Sequence, residues 1–339
     1  MPEPPSREPE TRRTAAAPFV LCLHLGAHRT GTTLVQNRIA ALHGRLGRER
    51  FSFAQNQDLK GQPWAFWCRG RKVEADPQAD FERHLAVWRK TGRVLLISAE
   101  DFIGTTAMFD GRGLYPEAGT RIGRLMRLLS AHPEVEVRLL MHIRRTPDFL
   151  ASCLAQEAAK GRRARLRDPS RIDPAQFRWS DLVASIEAAA GQRLVLRDFA
   201  DLPRLGGRAY TTDLLAAFGL PEPTRLQGLG PLGGAVDALP ARIADRIPGL
   251  GPWRRPNASL STRGVALADA MRSHVDAQTW AQVVRPFLSR HFSARTGDPA
   301  VTLDPSLVAA LDGTWASDRA VLADRLAARH PPIRSIARP

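Results

Sequence analysis

The sequence predicts an α/β fold: a parallel sheet flanked by helices, with a helical C-terminal subdomain. Short apolar runs alternate with segments of helical spacing, which indicates right-handed βαβ units. A Gly/Thr-rich turn joins the first apolar run to the first helical segment. From residue 261 onwards the pattern is helical.

Phe19 to Leu25 (FVLCLHL) reads as a buried strand, and Leu34 to Leu42 as the start of a helix. Residues 45 to 79 read as irregular, with Trp64, Phe66 and Trp67 together. A helix over Asp80 to Lys90 leads through Thr91-Gly92 into a second strand, Arg93 to Ser98. An amphipathic helix, Pro116 to Ser130, is stopped by His132-Pro133, and Val135 to Ile143 forms a third strand. Pro147 sits well in the first turn of a helix reaching Lys160. Ser180 to Ala190 is a helix, Arg193 to Arg197 a strand, and Thr211 to Phe218 a helix closed by Gly219. Residues 219 to 256 are rich in Gly and Pro and read as an irregular loop; long loops of this kind are usually functional or mobile. Residues 257 to 330 are expected to form a helical cap, with helices near 261 to 293 and 305 to 329. Residues 1 to 18 read as a disordered tail, leaving 19 to 339 as one domain.

The 339 residues and 43% hydrophobic content allow a sizeable core. Net charge is +15, almost all from Arg, since Lys occurs only at 60, 72, 90 and 160. The Arg residues are scattered apart from Arg162-Arg163-Ala164-Arg165, and no helix-turn-helix or RNA-module signature accompanies them. Specific nucleic-acid binding is therefore not expected, although a basic surface would recruit an anionic nucleotide. No run approaches the ~20 apolar residues of a membrane span. Cys22, Cys68 and Cys153 lack metal-ligand spacing, and no HExxH pattern occurs, so neither a disulfide framework nor a metal site is expected. The expectation is a soluble cytoplasmic protein with no pattern that specifies an oligomeric state.

Gly26-Ala27-His28-Arg29-Thr30-Gly31-Thr32-Thr33 has the spacing of a phosphate-binding loop between a strand and a helix, so the expected sheet is of the P-loop type. Glycines permit a tight turn that exposes successive amides, and the following helix start favours an anion. Nucleoside triphosphatases place Lys directly after the second Gly, where this chain has Thr32. Without that Lys, a site for a Mg-bound triphosphate is poorly equipped, and a smaller, metal-independent anion suits the loop better. The alternative is a turn that merely links two elements.

Arg29-Thr30-Gly31-Thr32-Thr33 is similar to the loop of the sulfotransferase family, particularly its bacterial branch. A second stretch, Arg144-Arg145-Thr146-Pro147-Asp148-Phe149-Leu150-Ala151-Ser152, resembles that family's strand-end Arg followed by Ser in the next helix. The resemblance implies transfer of a sulfuryl group from 3′-phosphoadenosine 5′-phosphosulfate (PAPS) to a hydroxyl or amine, with 3′-phosphoadenosine 5′-phosphate (PAP) as product and no metal. It implies that His28, Arg29, Thr30, Gly31, Thr32 and Thr33 hold the phosphosulfate, and that Arg144 and Ser152 hold the 3′-phosphate, with Arg145 as fallback. It also makes Arg29 the catalytic cation at the transferred group, where most members carry Lys. Weaker similarities run through Leu194 to Phe199, Ala217 to Leu220 and Asn257 to Ser261, the last equally explained by helix capping.

The family draws its general base from a His or Glu just after the second strand, which here is Ser98-Ala99-Glu100. Glu100 is the first choice, with Asp101 beside it; an N-cap or salt-bridge role weighs equally. His28 and His24 are alternatives, and His24 fits better as a core residue. The acceptor, a small molecule or glycan, is not specified, although residues 45 to 79 and 219 to 256 are expected to shape its pocket. Two other readings remain: a P-loop small-molecule kinase, and a non-catalytic nucleotide- or polyanion-binding protein of the same fold.

Overall fold

Phe19–His24 (β1) is apolar along its whole length, as a strand covered on both faces must be. The computed structural model describes residues 18–46, 51–108, 111–162, 172–220, 259–293 and 300–333. In it β1 is the centre of a five-stranded, all-parallel sheet. Its neighbours are Val94–Ser98 (β3) on one side and Val135–Ile143 (β4) on the other. Ser52–Gln55 (β2) and Val195–Asp198 (β5) form the two edges, giving the order β2-β3-β1-β4-β5. The strand tips on which the loops open therefore lie along one edge of the sheet.

The period-two alternation of strands assigns residues to faces. Leu21, Leu23, Leu95, Ile97, Leu139, Met141, Leu194 and Leu196 enter one core layer. Val20, Cys22, Val94, Leu96, Leu140 and Val195 enter the other. Thr32–Leu46 (α1) and Asp201–Ala217 (α7) cover the second layer. Pro63–Cys68 (α2), Pro77–Thr91 (α3), Ala118–Leu129 (α4), Thr146–Ala159 (α5) and Trp179–Ala190 (α6) contribute side chains to the first.

The segment 45 to 79, expected to be irregular, holds β2, α2 and the start of α3. Four residues with only Ala54 buried give β2 little apolar signature. Trp64 is fully buried against Phe81, Trp88 and Phe102, with ring centroids 5.3, 6.0 and 5.9 Å away. The helix expected from Thr211 begins at Asp201 and bends at Gly206, whose φ of 76° interrupts the helical periodicity. The tail, residues 221–256 of the irregular loop, and Asn257 lie outside the described residues.

The C-terminal helices are Thr262–Met271 (α8), Arg285–His291 (α9), Pro305–Val321 (α10) and Ala323–Ala327 (α11). A helical turn, Ala277–Thr279, and a π segment, Trp280–Val284, lead into α9. These elements are joined firmly to the sheet. Asp318 of α10 is fully buried; its carboxylate accepts from the Trp179 amide and, at 2.5 Å, from the Ser180 hydroxyl, capping α6 from another helix. Arg197 of β5 donates to the carbonyls of Leu326 (3.3 Å) and Ala328 (2.9 Å). Asp318→Ala should cost about 2–4 kcal/mol by orphaning buried donors, read as a lower urea midpoint with unchanged m. No change in midpoint would show that this cap contributes nothing. Among the described residues, no helix is long and apolar enough to cross a membrane.

Candidate functional site

The chain leaves β1 at His24 and turns through Leu25–Gly31 before α1 begins at Thr32, two residues earlier than the expected start. Gly26 and Gly31 have φ of 91° and 80°, the left-handed region that glycine occupies without penalty. Each also lies against a neighbour. A Cβ on Gly26 would stand 2.8 Å from Glu100 Cβ, and one on Gly31 would stand 3.1 Å from a Leu202 methyl. Among the described residues, no backbone carbonyl accepts from the amides of Arg29 to Thr33. Those amides and the start of the 15-residue α1 form a concentrated set of donors suited to an anion.

The loop is braced from below. The Ala27 amide donates to the His142 carbonyl at 3.1 Å, and the His142 amide donates back to Gly26. His24, His142 and Ser98 form a buried chain: His24 Nδ1 is 2.8 Å from Ser98 Oγ, and its Nε2 is 2.9 Å from His142 Nδ1. Burial pushes His24 down to about 3 and holds His142 well below the ordinary imidazole range, so both remain neutral. His24 is thus a core residue. Tyr210 of α7 stacks on His142 (4.7 Å between centroids), and its hydroxyl donates to the Thr30 carbonyl at 3.3 Å.

The hydroxyls divide their tasks. Thr30 is fully buried and donates to the Ala27 carbonyl at 2.7 Å, which shapes the loop. Thr32 donates to Glu100 Oε2 at 2.5 Å. Thr33 is exposed, and no protein partner meets its hydroxyl among the described residues. The Ala99 amide donates to the His24 carbonyl at 3.0 Å, and the 3₁₀ turn Glu100–Ile103 then sets Glu100 beside the loop. Glu100 Oε1 is 3.9 Å from His28 Nε2, while Asp101 Oδ1 is 3.5 Å from it. The His28 side chain, with help from Arg69 and Arg121, holds Asp101 below the usual carboxylate range. The His28 amide and Nδ1 both meet the buried Tyr115 hydroxyl, at 3.0 and 3.1 Å. His28 is therefore held by Tyr115 on one side and carboxylates on the other.

The second motif comes to the same place. Arg144 leaves the tip of β4, lies over the Phe199 ring at 4.6 Å, and donates to the Arg29 carbonyl at 2.9 Å. Arg29, itself left-handed at φ 63°, donates from Nε to Ser152 Oγ and from Nη2 to Ser259 Oγ, both at 2.7 Å. Burial lowers the basicity of both guanidiniums, and Arg29 lowers that of Arg144 further. Arg145 is committed elsewhere: Asp312 receives its fork, and Asp148 accepts from it at 2.8 Å. Arg144, not Arg145, is the guanidinium beside the loop.

The sequence-predicted residues His28 to Thr33, Glu100, Arg144 and Ser152 thus form one constellation at the tips of β1, β3 and β4. Sequence reasoning missed Ser259, Tyr115, Phe199 and Tyr210 as site residues. Ser259 lay in a stretch whose Asn and Ser residues were equally explained by capping, and Tyr115 carries no local signal. Compared with known proteins, the chain matches no protein-family model and no curated protein.

Proposed function

We propose that this chain is a PAPS-dependent sulfotransferase acting on a hydroxyl or amine. One observation carries the reading: two motifs more than a hundred residues apart meet at the strand tips through the Arg144–Arg29 and Arg29–Ser152 hydrogen bonds. A nucleotide with phosphates at both ends of its ribose requires two anion cradles side by side. In this reading the loop amides and Thr33 hold the 5′-phosphosulfate, Arg144 and Ser152 hold the 3′-phosphate, and Arg29 supplies the loop's cation.

The acceptor oxygen or nitrogen attacks sulfur in line, the bond from sulfur to the 5′-phosphate oxygen breaks, and PAP leaves. Glu100 takes the acceptor's proton on Oε1, since Oε2 is engaged by Thr32. Neutral backbone donors stabilise charge on the departing phosphate without a metal.

Titration calorimetry with PAP, AMP and Mg-ATP tests the reading. PAP should bind without Mg, at least about tenfold tighter than AMP, as expected for a charge-assisted second phosphate site. A preference for Mg-ATP would replace the proposal with a kinase. Failure to bind any of the three would favour a polyanion-binding protein.

A further inference from the structure

We propose that Arg29 and Ser259 belong to the pocket for the second phosphate, so that the loop's guanidinium selects a 3′-phosphorylated nucleotide rather than contacting the transferred sulfuryl group. The proposal rests on the nucleotide reading above and changes the task of its central cation.

Direction is the first argument. The left-handed backbone at Arg29 sends its fork to Ser152 on α5 and to Ser259 at the start of the C-terminal helices. Ser152 Oγ and Ser259 Oγ lie 3.3 Å apart, so guanidinium and hydroxyls form one compact group. Both hydroxyls accept from Arg29, and where one donates to the other, the second keeps its own proton for a further acceptor. Arg29, Ser152 and Ser259 thus form one donor group, and Arg144 stands beside it through its bond to the Arg29 carbonyl, a charge-assisted arrangement that suits a phosphate.

Charge is the second argument. Among the described residues, neither Arg29 nor Arg144 forms an ion pair; Glu100 and Asp148 act on them only at longer range. Arg145, one residue further on, is neutralised by two carboxylates. Two neighbouring, partly buried guanidiniums without paired carboxylates favour an anion between them.

Placement is the third. Leu260, next to Ser259, is buried with Ala155 and Ala158 of α5 and Leu288 of α9. Ala155 follows Ser152 by three residues, on the same helix face. Packing of Leu260 thus holds the Ser259 hydroxyl above Ser152. The C-terminal part of the chain contributes a group to the nucleotide site itself.

Calorimetry of wild type, Ser259→Ala, Ser259→Thr and Arg29→Lys with PAP and AMP tests this assignment. Ser259→Ala and Arg29→Lys should each lose about tenfold in the PAP-over-AMP preference, the scale of a hydrogen bond to a charged group. Ser259→Thr retains the hydroxyl and should retain the preference. An unchanged preference in both Ser259→Ala and Arg29→Lys overturns the proposal while leaving the nucleotide reading intact. Equal losses in Ser259→Ala and Ser259→Thr overturn the role of the hydroxyl. A wild-type chain without preference for PAP removes the nucleotide reading and this proposal together.

Discussion

Glu100→Gln should lower sulfuryl turnover by about 10²- to 10⁴-fold, the range that a positioned general base contributes. The substitution is chosen for what it keeps. A Gln amide oxygen still accepts from the Thr32 hydroxyl, so the bond between loop and 3₁₀ turn survives. Only the basic lone pair and the negative charge disappear. Loss of that charge beside the loop amides proposed to hold the anion should leave PAP affinity unchanged or tighten it. The separation of turnover from binding is therefore the diagnostic result. It is measured with labelled PAPS and an acceptor found by screening hydroxyl and amine compounds. Turnover within about twofold of wild type would remove Glu100 from the mechanism and direct attention to His28.

Arg144→Ala should weaken PAP binding by about 10- to 100-fold and AMP binding by less than about threefold. The asymmetry follows from position. Arg144 reaches the loop through the Arg29 carbonyl, a contact whose loss should relax the loop slightly for either nucleotide. In the proposed reading its charge bears on the second phosphate, which only PAP carries. Phe199 fixes the guanidinium from below, so a Lys at this position loses both the stacking and the fork. Arg144→Lys should accordingly recover only part of the binding. Equal losses for PAP and AMP in Arg144→Ala would make the residue a brace of the loop.

The legible parts of this chain are those in which one short stretch of sequence carries its own constraint. Strands β1 and β3 announce themselves because every position is buried, and β4 because its last six residues are, so that apolar side chains dominate all three runs. Strand β2 does not, because an edge strand with one buried residue in four needs no such run. The loop is legible because its glycines are demanded by local backbone conformation. Arg144 and Ser152 are legible because a strand tip and the next helix hold them at fixed spacing.

Relations across the chain are not legible in this way. Thr32 meets Glu100 across 68 positions, and Ser152 meets Ser259 across 107. No local pattern encodes either meeting; both arise from the order of strands and the packing of Leu260. The direction of the Arg29 fork is of the same kind. Its residue type was readable, but the side chain follows a left-handed backbone and two distant serines.

The central position of β1 also bears on how the protein is made. The strand is synthesised first, yet its two neighbours come much later: Val20 pairs with Val94, and Phe19 with Val135, 116 residues further on. At about 5–20 residues per second, the ribosome takes roughly 6 to 23 seconds to supply β4. During that interval the apolar run FVLCLH has no partner on that side, and parallel pairing gives it no hairpin in which to wait. An apolar strand left waiting in this way is the kind of segment a chaperone shields.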